Sequence, residues 1–300
     1  MELNGLLGIG DFMLVESSYG EQKGIRKTLD YLGKVEPEDV TEAIGIYDES
    51  KELIGIATYD NDLGFWIIFT DFIADKWQRE EFDALASAIK CAKEREVKVK
   101  TEKFREGVIE FYSLGLVNRL FCDCDLKEDS FYPQDRVEVL KNVLTAYLND
   151  VSEIKESLEI GCGDGGATIA LHELGISPFT VDVNKCEICK GVEEGVLEPR
   201  KSIVLDCALL SEFFGKEFDT VFGFMVGKLT HSELYTWDKV LKEVPKVLKS
   251  RGNALFTVSS EEEAVILANL LKDDFEAEIK ENRESNGYFD SWLYMGKLKG

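Results

Sequence analysis

Apolar and polar positions along the chain change their period several times, and each change predicts an element. Ala43 to Tyr47 and Leu53 to Tyr59 are strand-like runs parted by the turn Asp48-Glu49-Ser50-Lys51. Gly64 to Phe69 adds a third run after Asn61-Asp62, so a three-strand meander is expected. From Trp77 to Arg95 the period lengthens, and Phe82, Leu85, Ala86, Ile89 and Ala92 fall on one helical face. Glu96 to Thr101 alternates like a half-exposed strand. Phe104 to Leu114 then reads as a helix with Gly115 as its stop.

Asp125 to Arg136 is charged and includes Pro133, which suggests a boundary near residue 130 between an α+β accessory domain (1–130) and a second domain (131–300). Val137, Leu140, Leu144 and Leu148 give the next helix an apolar stripe. Beyond it, short apolar runs alternate with helical ones. Strands are expected around Leu158 and Ile160, at Phe179–Val183, at Ser202–Asp206 and at Phe218–Met225. Helices are expected at Ala167–Leu174, from Asn184 to about Gly195, and at Ser232–Leu248, where Pro245 kinks or divides the helix. A helix at Glu261–Leu271 precedes two closing strand-like runs, Phe275–Lys280 and Tyr288–Leu298, joined by the polar turn Asn282–Gly287. This alternation predicts a Rossmann-like, doubly wound α/β sheet with an antiparallel C-terminal hairpin, preceded by a smaller α+β domain.

The densest chemistry lies in Glu159-Ile160-Gly161-Cys162-Gly163-Asp164-Gly165-Gly166. A strand, a glycine turn and a helix start would leave bare backbone and unpaired N–H groups facing a ligand. Gly161, Gly163 and Gly166 satisfy G-x-G-x-x-G, the dinucleotide pattern. Glu159, two residues before the first glycine, argues the other way: a carboxylate there repels a pyrophosphate and suits a cationic ligand. The run E-x-G-x-G-x-G resembles the first motif of class I S-adenosylmethionine-dependent methyltransferases, whose cofactor carries an ammonium and a sulfonium. Val247-Leu248-Lys249-Ser250-Arg251-Gly252-Asn253-Ala254-Leu255-Phe256-Thr257-Val258 resembles the same family's helix, turn and fifth strand, with Ser250 and Arg251 as departures from its usual form. The closing hairpin is also a feature of that family.

The resemblance covers roughly Val151 to Gly300 and implies S-adenosylmethionine as cofactor. On its positions Glu159 with the backbone of Gly161, Cys162 and Gly163 would hold the amino-acid part, Asp182 the ribose, and Asp206-Cys207 the adenine. Acceptor-facing residues follow the fourth strand, here Phe224 to His231, so His231 is the candidate general base, with Lys228 and Tyr235 lining the pocket. His172 reads as structural. The first half is faintly similar to an N-acetyltransferase fold, but Ile73-Ala74-Asp75-Lys76-Trp77-Gln78-Arg79 has no glycine where that fold grips pyrophosphate.

Composition narrows the acceptor. Lys+Arg 35 against Asp+Glu 58 gives a formal charge of −23, which opposes binding to phosphate backbones. A small-molecule or protein acceptor is therefore expected over nucleic acid, with a homodimer among the partners considered. No apolar run approaches the ~18 residues of a membrane span, and Met1-Glu2-Leu3-Asn4 lacks a basic signal-peptide start, so a cytoplasmic chain is expected. Seven cysteines, an odd number, suggest reduced thiols. Cys186-Glu187-Ile188-Cys189 has metal-ligand spacing, and Cys122-Asp123-Cys124 holds two more thiols. Because the first pair falls early in a helix, no metal site is expected. Two functions remain beside methyl transfer: a non-catalytic S-adenosylmethionine-binding scaffold, and an NAD-dependent oxidoreductase.

Overall fold

The computed structural model describes residues 2–15, 25–72, 74–90, 95–123, 132–151, 154–225, 229, 234–285 and 289–300, in two compact units, Met1–Leu114 and Gly115–Gly300. The division falls earlier than the charged segment suggests. The first unit runs α1 (Glu2–Leu7), β1 (Phe12–Val15), α2 (Arg26–Leu32), β2 (Ala43–Tyr47), β3 (Leu53–Asp60), β4 (Phe65–Thr70), α3 (Lys76–Lys90), β5 (Glu96–Lys98) and α4 (Thr101–Val117), the last crossing the division. The expected meander is present, with β2, β3 and β4 antiparallel. β1 adds parallel to β4, and β5 parallel to β2, giving the order β1-β4-β3-β2-β5.

Strand alternation then sorts side chains to two faces. Ile56 and Phe69 pack with Leu29 of α2 and Phe82, Ala86 and Ile89 of α3. Gly55 faces the other way, where an added Cβ would lie 3.5 Å from the Phe104 ring of α4. Gly115 does not stop α4, which continues to Val117. Its role is steric: a Cβ there would lie 2.4 Å from the Phe121 ring.

The second unit continues with α5 (Gln134–Asp150), β6 (Ser157–Ile160), α6 (Thr168–Glu173), β7 (Phe179–Asp182), α7 (Lys185–Glu193), β8 (Ser202–Val204), a 3-10 turn (Cys207–Leu209), α8 (Leu210–Phe213), β9 (Phe218–Phe224), α9 (Leu234–Leu241), α10 (Val244–Val247), β10 (Leu248–Val258), α11 (Glu261–Leu271), β11 (Phe275–Glu281) and β12 (Trp292–Leu298). Its sheet has the order β11-β12-β10-β9-β6-β7-β8. Strands β6 to β10 are mutually parallel, and β12 is antiparallel to both neighbours. Counted from β6, the first five strands follow the doubly wound order 3-2-1-4-5. The closing hairpin inserts its second strand between the fifth and its own first, as the hairpin reading expects.

On one face of this sheet α5 and α6 pack on Phe222, Phe224 and Leu255. Tyr147 rather than Leu148 completes the buried stripe of α5, since Leu148 is only half-buried. Pro245 divides the expected long helix, starting α10 where its missing N–H costs no bond. Leu248 to Arg251 belongs to β10 rather than to a helix and turn: the register shifts between Leu248 and Asn253, and Arg251 takes φ +60°. No helix among the described residues is long and apolar enough to cross a membrane.

Candidate functional site

Because β6 to β9 are parallel, their C-terminal ends share one edge, and the loops leaving that edge meet. After Ile160 the chain turns at Gly161 (φ +66°), Gly163 (φ +58°) and Gly165 (φ +94°). The Gly161 N–H donates to the Val181 carbonyl at 2.7 Å, tying the turn to β7. At Gly165 the requirement is steric as well, since a Cβ would meet Val196 and Leu197 at 2.7 Å. At Gly163 it is conformational only: nothing lies within 4 Å of where its Cβ would stand. That bare, outward-facing backbone is the open surface of the loop.

Three carboxylates surround it. Asp182, at the end of β7, accepts the Gly163 N–H on Oδ2 at 2.9 Å and the Asn184 N–H on Oδ1 at 2.8 Å. Each oxygen keeps a further acceptor site. Asp206 caps the 3-10 turn, accepting the Ala208 N–H at 3.0 Å. Glu159 lies under the loop, 1% exposed, and accepts the Thr168 hydroxyl at 2.7 Å. Burial pushes its carboxyl up to about 7; the Thr168 bond and the Arg136 charge oppose that rise, and Asp182 adds to it. A carboxyl so placed gains most from a cation arriving above it.

The two thiols of the loops are small fillers, Cys162 buried and Cys207 half-buried. Burial holds Cys162 well above the ordinary thiol range, and pushes Cys207 up to about 12. Glu159, Asp182 and Cys207 all act electrostatically on Cys162, and Asp182 and Asp206 on Cys207. Glu159, Gly161, Cys162, Gly163, Asp182, Asp206 and Cys207 therefore form one cluster. Lys228 and His231 lie outside the described residues. Tyr235, on α9, is exposed and lies under the Lys239 ammonium. His172 is half-buried, with its basicity lowered by burial, in keeping with a structural role.

Residues that belong to no sequence motif frame the loop from α5. Arg136 donates to Asp290 at 2.8 Å, and Thr257 donates to the other Asp290 oxygen at 2.5 Å. Asp290 is fully buried at φ +53°. Thr257 Oγ1 also accepts the N–H of Met225, which holds φ +52° directly after β9. Left-handed non-glycine residues cluster where a structure needs a set geometry. The Tyr132 hydroxyl lies 2.9 Å from the Glu194 carboxylate and 3.1 Å from the Asp164 carbonyl, its one proton serving either acceptor, which fastens the start of α5 over the loop. A cavity of about 130 Å³ opens beside Arg136 and Asp290, bounded also by Val139, Glu284 and Phe289. One signal for Arg136 was present in the sequence: a cation in the first turn of a helix opposes the helix dipole, and calls for a partner.

Comparison with known proteins bears on the same region. Residues 158–256 match a family model described as a methyltransferase domain. Among curated proteins none matches the chain. Among solved structures, the PH0226 protein of Pyrococcus horikoshii OT3 is 21% identical, with 58% of this chain and 94% of that chain covered and a TM-score of 0.45. N-methyltransferase NodS from Bradyrhizobium japonicum WM9 is 15% identical, covering 56% and 98%, with a TM-score of 0.45. Magnesium protoporphyrin IX methyltransferase from Synechocystis PCC 6803, solved with bound SAM, is 14% identical, covering 65% and 97%, with a TM-score of 0.40.

Proposed function

Taking residues 158–256 as a methyltransferase domain with S-adenosylmethionine as its cofactor, we propose that the second unit transfers a methyl group to a small-molecule or protein acceptor. The observation that carries this reading is the open backbone at Gly163, set among Glu159, Asp182 and Asp206 at the ends of three parallel strands. Those acids fit a ligand with an ammonium, a sulfonium and ribose hydroxyls. A pyrophosphate in the same cradle would face Glu159 and Asp182, which disfavours the oxidoreductase reading.

When bound, S-adenosylmethionine supplies an electrophilic methyl group on sulfur. The chain's own residues orient and shield. Glu159, beneath the loop, favours the ammonium through its field rather than by an open surface. Asp182 holds the glycine turn in shape and offers its remaining lone pairs to the ribose hydroxyls, and Asp206 and Cys207 border the adenine end. Arg136, whose charge acts on Glu159 and which is paired with Asp290, is the cation of this frame that a ligand's carboxylate could approach. Met225, at the end of β9, starts the segment from which acceptor contacts would come, His231 among them as general base. The N-terminal unit is assigned to acceptor recognition, to covering the site or to dimerisation. The net charge supports an acceptor other than nucleic acid.

Isothermal titration with S-adenosylmethionine, S-adenosylhomocysteine and NAD, one at a time, tests the cofactor. Micromolar binding of both sulfur compounds with NAD silent is expected, and NAD binding alone would overturn the reading. A non-catalytic scaffold would bind the cofactor but form no S-adenosylhomocysteine with any acceptor offered.

A further inference from the structure

Cys122 and Cys186 are 64 residues apart in sequence, and their sulfurs are 3.9 Å apart. Cys186 and Cys189 are the second and fifth residues of α7, a spacing that sets both on one helical face. Arg119, three residues before Cys122, donates to the Cys189 sulfur at 3.2 Å and to Glu193 at 3.1 Å. The same short segment that brings Cys122 to Cys186 thus also reaches Cys189. Sulfurs from two distant stretches of the second unit meet at one place, outside the glycine-loop cluster.

Two simpler accounts fall short. The readiness of cysteine to be buried explains Cys189, which is fully buried, but not Cys186, which is exposed. A bond between Cys122 and Cys186 is not what the short distance records either, because Cys122 is disulfide-bonded and Cys186 remains a thiol. The separation itself has a chemical meaning. Two thiolates on a tetrahedral zinc ion, with bonds of ~2.3 Å, lie ~3.8 Å apart. Cys186 stands in the first turn of α7, where backbone N–H groups favour a thiolate. Cys189, one turn further on, has its thiol pushed up by burial, and the Arg119 guanidinium opposes that rise.

We propose that Cys122, Cys186 and Cys189, once reduced, bind one zinc ion that clamps the Arg119–Cys122 segment to α7. Two-electron reduction by a thiol or phosphine frees the Cys122 thiol, and each sulfur gives up its proton as it binds the metal. Three thiolates leave the zinc centre with a single negative charge, which Arg119 faces. The disulfide form has no such site: among the described residues no three His, Cys, Asp or Glu side chains enclose a metal position. Binding is therefore redox-dependent. The proposal is independent of the methyltransferase reading, so cofactor titration and metal titration fail separately.

The test uses the full chain, reduced with a phosphine, freed of metal and titrated with cobalt(II). A single equivalent should bind with the intense ultraviolet thiolate-to-cobalt absorption and the visible bands of tetrahedral cobalt, and zinc should displace it. Cys186→Ser and Cys189→Ser should each lose most of that absorption, whereas Cys207→Ser, a thiol of the same unit, should keep it. Absent or non-saturating absorption in the reduced wild-type chain would overturn the proposal without reference to any variant. So would equal binding by the diamide-oxidised chain, or equal loss in Cys207→Ser.

Discussion

Both units turn their chain with glycines held at positive φ, and the two use them differently. Among the described residues the first unit has Gly8 and Gly64, far apart in the chain, each reversing it once. The second unit places Gly161, Gly163 and Gly165 within five residues at the end of its central strand. A single left-handed residue makes a corner. Three in alternation make a tight loop whose own N–H groups are satisfied by Val181, Asp182 and Cys162, with open space over Gly163 and carboxylates around it. In the first arrangement Gly8 ends α1 and Gly64 turns β3 into β4; the second makes a surface that a ligand can press against.

The comparison can be broken most forcefully from outside the glycines. Arg136→Ala leaves the buried Asp290 carboxylate without its cation, and should destabilise the second unit by ~3–5 kcal/mol, read by urea unfolding. If stability is unchanged, the frame of the loop does not depend on α5.

Glu159→Gln is the next largest change. Folding raises this carboxyl from 4.5 to about 7, so wild-type stability is lost as the pH climbs through that window. The glutamine removes the cost, and at pH 8 the variant should be more stable by up to about 3 kcal/mol. Its affinity for S-adenosylmethionine should nevertheless fall by ~1–3 kcal/mol. A more stable protein that binds more weakly is the signature of a functional carboxylate. Higher stability with undiminished affinity would make Glu159 a buried accident.

Within the loop, Gly165→Ala should cost ~1–3 kcal/mol of stability, because its new methyl group strikes Val196 and Leu197. Gly163→Ala meets no protein atom, so it should cost only ~1–2 kcal/mol of backbone strain while abolishing most cofactor binding in a titration. Gly64→Ala is the matched control in the first unit, with the same backbone strain and the same open space. Its cost should be similar, with the titration unaltered. Equal cofactor affinity in the Gly163 and Gly64 variants would remove the distinction drawn between the two regions.

These contrasts also explain what could be read without coordinates. The second unit was legible because each parallel strand is short, apolar and followed by chemistry: Glu159 to Gly166, Asp182, Asp206. Its hairpin and the break at Pro245 followed from local rules. The start of β10 did not, since Leu248 to Arg251 joins the sheet through a register shift that tertiary pairing creates. In the first unit α1, β1 and α2 left no pattern, because six, four and seven residues are too few to establish a period. Gly115 was misread as a stop because its partner, Phe121, is a packing contact rather than a sequence signal. Arg136 and Asp290 are 154 residues apart, and their pairing is a product of the fold. The same holds for Cys122 and Cys186.

The sheet edges bear on how copies of this chain can assemble. Among the described residues β1 and β5 bound the first sheet, with four and three residues, and β5 carries Glu96 and Lys98. The second sheet ends at β8, three residues long, and at β11, where Glu276, Glu278, Lys280 and Glu281 are exposed. Short or charged edges make poor templates for another strand. A homodimer built by extending either sheet is thus disfavoured, and the same edges resist the runaway strand pairing that leads to fibrils. Any lasting association must be made through helices and loops, which leaves both sheets intact whether the chain acts alone or in company.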